Sequence, residues 1–225
     1  MTVDPTAEAA GHAFYSRRSL RAYDALILGW FSRTAWRCPS GRHVQLHDRH
    51  VSNNHLDIGV GTGYFLDRCR FPTQDPRIVL MDPNTACLEA ASVRLSRYRP
   101  ERVEASAFEP FPASVGGVDS VSLTYLLHCL PGTMASKSVV FDHVASVLNS
   151  GGVVFGATLL QGGVRRNWYA RSVMAFNNRR GIFCNAEDSL GSLAEALEAR
   201  FDDVQIEVIG CVAAFAASAR ASAGR

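Results

Sequence analysis

The amino-acid sequence predicts an α/β fold: a mostly parallel, seven-stranded sheet with helices on both faces and an antiparallel last strand. First, short apolar runs alternate with segments of helical periodicity from residue 53 onward, as in successive strand–helix–strand units. Second, the last two apolar runs lie too close in sequence for a helical crossover, which predicts a hairpin. Third, 225 residues with 47% hydrophobic composition suit one domain with a substantial core.

The strands are predicted from seven apolar runs. They are "HLDIGV" (55–60), "RIVLMD" (77–82), "RVEASAF" (102–108), "VDSVSLTY" (118–125), "GVVFGATLL" (152–160), "VQIEVIG" (204–210) and "CVAAFAAS" (211–218). Helical patterns begin at Tyr64 and just after Asp82, and two more cover Ser138–Leu148 and Glu187–Arg200. The "NSGG" stretch is expected to end the helix before the fifth strand.

Two segments lie outside this alternation. Residues 1–50 are aromatic and helical in pattern, and we interpret them as an N-terminal cap or lid within the same domain. The core is predicted over residues 51–218, with a polar and aromatic insert at 161–185 and a flexible tail at 219–225. Both outlying segments are placed to reach the carboxyl ends of the strands as a lid, or simply to cover sheet edges.

Composition restricts the class of protein. A formal net charge of +2 gives no global electrostatic attraction to nucleic acid or to an anionic membrane. The apolar runs are too short to span a bilayer, and the first residues lack the apolar stretch of a secretion signal. Six cysteines without paired spacing favour reduced thiols over disulfides or a zinc site, which predicts a cytoplasmic protein.

The most specific motif is "LDIGVGTG" at residues 56–63. A dinucleotide-binding G-x-G-x-x-G sequence would need its third glycine where Tyr64 stands, and no lysine follows as a phosphate-binding loop requires. The motif instead combines alternate glycines with Asp57, and a second carboxylate, Asp82, closes the next strand. Each aspartate alone is also compatible with a helix N-cap, but the two together, at the ends of adjacent strands, favour contact with a ligand, and neither phosphate-binding motif matches.

These residues resemble the class I S-adenosylmethionine-dependent methyltransferases, whose fold is Rossmann-like. "LDIGVGTG" is similar to the first motif of that family and "IVLMDPN" to the second. "FEPFPASVGGVDSVSLTYLLHCLPG" and "VLNSGGVVFGATLL" are similar to the later motifs, in the same order. The resemblance covers roughly residues 40–218 and implies S-adenosylmethionine as the cofactor.

The resemblance also implies which residues bind the cofactor. Asp57 faces the α-ammonium group, directly or through water, and Asp82 takes the two ribose hydroxyls. Ser106 stands where family members often carry an aspartate that faces the adenine, so the adenine contacts depart from the family pattern. The other predicted cofactor contacts are Ile58, Gly59, Gly61, Pro83, Asn84, Ala107, Phe108, Thr124, Tyr125, Tyr23 and Trp36.

Catalysis of methyl transfer needs alignment of the acceptor and exclusion of water, and it needs a base only if the acceptor must lose a proton. His128 is the candidate base, with contact to the cofactor or a backbone hydrogen bond as its alternative role, and Tyr125 is the second catalytic candidate. The predicted substrate-binding residues are Tyr15, Trp30, His128, Phe176, Asn177 and Phe183.

The predicted function is methyl transfer to a small aromatic or heteroaromatic metabolite of specialised metabolism, with transfer to oxygen favoured by family frequency. The alternative is a cofactor-binding protein of the same fold that catalyses a different reaction or acts as a binding module. His43, His47 and His50 have helical metal-ligand spacing, but without an HExxH motif we predict no metal. The expected partner is a small molecule and not nucleic acid or membrane, and the chain is expected to be a monomer or homodimer.

Overall fold

The computed structural model describes residues 24–220 and contains the predicted seven-stranded sheet. The strands are β1 (Asn54–Ile58), β2 (Arg77–Met81), β3 (Glu101–Val103), β4 (Val118–Thr124), β5 (Leu148–Leu159), β6 (Phe201–Ile209) and β7 (Val212–Ala219). Their order across the sheet is β3-β2-β1-β4-β5-β7-β6. All neighbouring pairs from β3 to β5 are parallel, whereas β7 is antiparallel to both β5 and β6. The predicted fold class, including the antiparallel last strand, is therefore confirmed.

The helices connect these strands and flank the sheet. A π-helical segment covers Asp24–Phe31, and the α-helices are α1 (Ser32–Thr34), α2 (Ser40–His50), α3 (Tyr64–Arg68), α4 (Thr85–Arg94), α5 (Met134–Lys137), α6 (Val139–Val147), α7 (Trp168–Arg179) and α8 (Leu190–Glu198). Several begin at side-chain caps: Asn84 accepts from Ala86 at the start of α4, and Ser189 opens a capping box at α8. No helix among the described residues is long and apolar enough to cross a bilayer.

The core lies on both faces of the sheet because strand side chains alternate between them. In β1, Leu56 and Ile58 point to the face covered by α6 and α8, while β2 residues such as Leu80 meet α2, α3 and α4 on the other face. A third cluster joins Trp36 and its neighbours to α7 and the end of β5.

Three segments differ in detail from the expected elements. The "NSGG" stretch was expected to end the helix before a strand at 152–160, but the helix ends at Val147 and this stretch lies within β5. The third strand was expected at 102–108 but covers only Glu101–Val103, because β2, its single neighbour, ends at Met81 and offers later residues no pairing partner. The insert at 161–185 contains the helix α7, which is capped by Asn167 and buries Ala170 and Met174.

Candidate active site

A cavity of about 130 Å³ opens at the carboxyl ends of β1, β2 and β4. The strand order reverses between β1 and β4, so the chain leaves the sheet in opposite directions and a crevice forms there. Predicted residues that line the cavity are Asp57, Ile58, Gly59, Gly61, Asp82, Pro83, Asn84, Ala107, Thr124 and Tyr125. Lining residues that the sequence analysis did not select include His47, Thr62, Phe65, Cys87, Leu126, Cys129, Leu130 and Pro131.

The three glycines after β1 all have positive φ but serve different purposes. A Cβ on Gly59 (φ +73°) would lie 2.8 Å from Leu126, and one on Gly63 (φ +69°) would lie 3.2 Å from Ala91 in α4. A Cβ on Gly61 (φ +52°) would have no protein atom within 4 Å. Gly63 therefore lets α3 and α4 approach, while Gly61 leaves its backbone open for a ligand.

Asp57 is 7% exposed and accepts a hydrogen bond from the hydroxyl of Ser122 on the neighbouring strand. Burial raises the pKa of its carboxyl to about 7, the Ser122 hydrogen bond opposes that rise, and the charge of Asp82 adds to it. The carboxyl group therefore changes its charge near neutral pH.

Asp82 follows β2 and is 8% exposed, with its carboxylate on the same cavity as Asp57. Its Oδ1 accepts a hydrogen bond of 2.8 Å from the backbone N–H of Asn84, which fixes its orientation. Asn84, and not Asp82, supplies the N-cap of α4. Because Asn84 caps the helix, Asp82 does not have the alternative role of an N-cap, and its carboxylate faces the cavity.

The end of β4 adds two polar groups. Thr124 lines the cavity, and its buried Oγ1 has no hydrogen-bond partner among the described residues. Tyr125 has φ +63°, a strained conformation for a bulky residue, and its hydroxyl lies 2.8 Å from Nε2 of His43. Strain of this kind marks a backbone that neighbouring contacts hold in place, here at the rim of the cavity.

The N-terminal segment is anchored to the glycine loop. Thr62 donates a hydrogen bond of 2.7 Å to Asp24, and Arg94 forms an ion pair of 2.6 Å with the same carboxylate. Arg94 also donates to the Thr62 hydroxyl over 3.1 Å. These contacts place the start of the π-helical segment beside the cavity.

His128 does not line the cavity. It is 4% exposed, its ring meets the edge of Phe183 at 4.7 Å, and its Nδ1 lies 3.5 Å from the hydroxyl of Thr158. Burial, with a contribution from Lys137, lowers its pKa to about 3, so the ring is neutral and weakly basic.

One apolar cluster behind Tyr125 contains Trp36, which was predicted to contact the cofactor, and Phe183, which was predicted to bind the substrate. Trp36 is 4% exposed and lies 6.2 Å from Phe183, ring to ring. Trp30 and Phe176 are both about half exposed, and Asn177 donates within α7 to Val173. None of these side chains lines the described cavity, and Tyr15 and Tyr23 lie outside the described residues.

Of the residues predicted to lie near the adenine, Ala107 lines the cavity between β3 and β4. Ser106 accepts a hydrogen bond of 3.2 Å from the backbone of Phe108, and Phe108 contacts the apolar core. Of these three predicted residues, only Ala107 therefore reaches the cavity.

The side chains of His43 and His47 in α2 form contacts within the protein, and His47 also borders the cavity. His47 donates from Nδ1 to the carbonyl of His43 over 2.8 Å and stacks on Phe65. Burial lowers the pKa of His43 to about 3 and that of His47 to about 4, so both are neutral. No group of three or more potential metal ligands occurs within residues 24–220.

Comparison with known proteins identifies the family. A family model described as a methyltransferase domain matches residues 56–154. The chain is 40% identical over 202 residues to demethylluteothin O-methyltransferase of Streptomyces thioluteus, an alignment covering 90% of this chain and 88% of that protein. The chain belongs to the class I S-adenosylmethionine-dependent methyltransferases.

A second relative supports the same assignment, and a solved structure shares the fold. The physcion biosynthesis cluster O-methyltransferase of Aspergillus chevalieri is 40% identical over 209 residues, covering 92% of this chain and 94% of the relative. A solved structure of DhpI with S-adenosylhomocysteine shares the fold, with a TM-score of 0.69 over 98% of this chain and all of that one at 16% identity.

The cavity of this methyltransferase fits S-adenosylmethionine chemically. The cofactor brings an ammonium group, a sulfonium, a ribose diol and an adenine, and the cavity offers two carboxylates, from Asp57 and Asp82. The open backbone at Gly61 and the unpartnered Thr124 hydroxyl are further groups on the same cavity.

Replacing Gly61 with alanine is expected to weaken S-adenosylmethionine binding by about tenfold, because the new methyl group occupies the approach to the ligand. Gly151 is a matched control, since it has φ +76° and a Cβ there also meets no atom within 4 Å, away from the cavity. Both alanine variants should lose about 1–2 kcal/mol of stability from the left-handed backbone. Calorimetric affinities that are equal for the two variants would contradict this role of Gly61.

Proposed function

We propose that this methyltransferase transfers a methyl group from S-adenosylmethionine to a hydroxyl group of a small aromatic or heteroaromatic metabolite. The observation that carries the proposal is the convergence of Asp57, Asp82 and the open backbone of Gly61 on one cavity at the strand ends. Transfer to oxygen is supported by the O-methyltransferase names of the Streptomyces and Aspergillus relatives.

The chain's own residues bind and orient the reactants in this proposal. The carboxylate of Asp57 holds the ammonium group, and that of Asp82 accepts from the ribose hydroxyls. Thr124 and Tyr125 border the methionine portion, and Ala107 borders the adenine. The bound cofactor supplies a methyl group that its sulfonium has already activated, so the protein's task is alignment and exclusion of water.

The acceptor is proposed to have an acidic hydroxyl group. The first candidate for a general base, His128, is buried and has a pKa lowered to about 3, so it gives little help in removing a proton. A phenol or a hydroxylated heteroaromatic ring that ionises readily needs little such help. In this proposal His128 serves as a contact of Phe183, which closes the wall behind Tyr125.

Residues 1–50 are proposed to belong to one domain that continues to residue 218, with the part before α2 as a cap over the cavity and α2 packed on the sheet. The anchoring of Asp24 to Thr62 and Arg94 supports this proposal, because it holds the chain at the cavity rim. The six cysteines are free, which supports a reducing, cytoplasmic location.

The proposal is tested with purified protein, methyl-labelled S-adenosylmethionine and a panel of acceptors, with products followed by mass spectrometry. The panel contains phenols, hydroxyquinolines, demethylluteothin, heteroaromatic thiols and small carboxylic acids. We expect label on the oxygen of a phenol or hydroxylated heteroaromatic, together with S-adenosylhomocysteine. Label on sulfur alone, or binding of the cofactor with no labelled product from any class, would contradict the proposed reaction.

A further inference from the structure

A line of hydrogen-bonded polar groups runs through the sheet from the cavity to the amino-terminal end of β1. The hydroxyl of Ser122 donates to Asp57, and Nε2 of His55 lies 3.0 Å from the same hydroxyl. Nδ1 of His55 lies 2.7 Å from the hydroxyl of Ser120, which accepts a hydrogen bond of 2.9 Å from the backbone N–H of Ser52. This chain of five residues is called the β1–β4 relay below.

The relay is buried in apolar surroundings. Ser122, His55 and Ser120 are all 0% exposed, and the His55 ring stacks on Phe155 at 5.8 Å between centroids. Buried polar groups lower stability unless each of them forms a hydrogen bond. In the relay, Ser122, His55 and Ser120 each have a hydrogen-bonding neighbour on both sides. Register explains the alignment, since His55 pairs with Ser120 and Asp57 pairs with Ser122 across β1 and β4.

The Asp57 end of the relay fixes its direction, whereas at the other end the Ser120 hydroxyl also lies 2.8 Å from the Ser52 hydroxyl, and either oxygen can donate. The backbone N–H of Ser52 can only donate, and an ionised Asp57 carboxylate can only accept. The Ser122 hydroxyl donates its only hydrogen to Asp57 and therefore accepts from His55, whose ring proton must be on Nε2. Nδ1 of His55 then accepts from Ser120. Burial lowers the pKa of His55 to about 3, which keeps the ring neutral, as one donor and one acceptor require.

We propose that Ser122 and His55 are positioning residues, which hold the Asp57 carboxylate ionised and oriented for the cofactor's ammonium group through donors that all point toward it. This inference rests on the proposed role of Asp57 in binding S-adenosylmethionine. Donors aligned in one direction polarise one another and favour the charged form of the group at the end. Without them, burial raises the pKa of Asp57 further and leaves a neutral carboxyl opposite the ammonium group.

Apart from the relay, one neighbouring titratable group, Asp82, affects the charge state of Asp57. Asp82, at the end of β2, repels a second negative charge and adds to the raised pKa of Asp57. Cys69, at the end of α3, has its thiol pKa raised to about 12 by burial and stays neutral. His47, whose pKa is lowered to about 4 by burial, is neutral across the relevant range.

The first test measures the Asp57 carboxyl directly in the free protein by carbon-13 NMR, with Asp57→Asn used to assign its resonance. Ser122→Thr and Ser122→Val form a matched pair, because valine has the shape of threonine without the hydroxyl, so both share any overpacking. We expect a midpoint of about 7 in the wild type, near that value in the threonine variant, and about one pH unit higher in the valine variant. Ser122→Ala adds no volume and should behave like valine.

The second test measures S-adenosylmethionine affinity by calorimetry as a function of pH. Binding of an ammonium group needs ionised Asp57, so affinity should fall as the pH decreases through the Asp57 midpoint. The valine variant should bind about eightfold more weakly than the threonine variant near pH ~6.5, and this deficit should shrink to about threefold near pH ~7.5. A deficit equal at every pH would indicate a purely structural effect and overturn the proposal.

A third measurement separates the inference from the proposed function. Nitrogen-15 NMR of the His55 ring in the free protein should report the Nε2–H tautomer, and the Nδ1–H tautomer would overturn the direction of the relay. Absence of any S-adenosylmethionine binding would overturn the proposed function. Equal Asp57 midpoints in the threonine and valine variants would overturn the relay, whether or not the cofactor binds.

Discussion

Replacing Lys137 with methionine is expected to lower the free energy of unfolding by about 3–5 kcal/mol. Lys137 and Asp188 are both 0% exposed, and Nζ donates to Oδ2 of Asp188 over 2.7 Å and to the carbonyl of Cys184 over 2.8 Å. Burial raises the pKa of Asp188 and the lysine charge opposes that rise. Without the lysine, a buried carboxylate is left with no counter-charge, and urea unfolding at neutral pH measures the cost.

The double variant Lys137→Met, Asp188→Leu is the control for this pair. Because it removes both charges, it should be more stable than either single variant, and the coupling should be about 2 kcal/mol or more. Arg99→Met is a control for an exposed ion pair, since Arg99 and Asp75 are both more than two-thirds exposed, and it should change stability little. Additive losses in the double variant would show that the two residues stabilise the fold independently.

The ion pair of Lys137 and Asp188 also affects the candidate site, because it holds the segment that follows α7 in place. The backbone N–H of Cys184 donates to the carbonyl of His128 over 2.8 Å, so the chain that returns from α7 is tied to the loop after β4. Lys137 fastens the same return segment to α5. The wall behind Tyr125 therefore depends on contacts between residues far apart in sequence.

The sequence predicted what local physical rules determine. Apolar runs gave the seven strands, and the short link before β7 gave its antiparallel direction. Alternate glycines with a preceding carboxylate predicted the loop that carries Gly59 and Gly61, because positive φ and close approach are local needs of a turn. Asp57 and Asp82 were predicted as site residues because they lie at strand ends, and the topology of a parallel sheet brings these ends to one edge.

The residues that were missed depend on tertiary contacts. Nothing local indicates that Asp24 contacts Thr62, or that Lys137 of α5 pairs with Asp188. His128 was selected because its residue type titrates near neutrality, but its burial behind Tyr125 is set by the insert that packs over it. Trp36, predicted as a cofactor contact, and Phe183, predicted as a substrate contact, followed from aromatic composition alone, which does not distinguish a ligand contact from a core contact.

Replacing Asp82 with alanine is expected to weaken S-adenosylmethionine binding by about tenfold or more, since a charge-assisted hydrogen bond contributes about 1.5–3 kcal/mol. Asp82→Asn keeps the size and an acceptor for the Asn84 N–H, but loses the charge and one acceptor, so its affinity should be intermediate. Asp119→Ala is the matched control, because Asp119 is an exposed carboxylate in β4 that bonds Asn149 away from the cavity. Calorimetry on the three variants decides the assignment: an unchanged affinity in a folded Asp82→Ala protein removes Asp82 from the ribose site, whereas a loss confined to the Asp82 variants supports it.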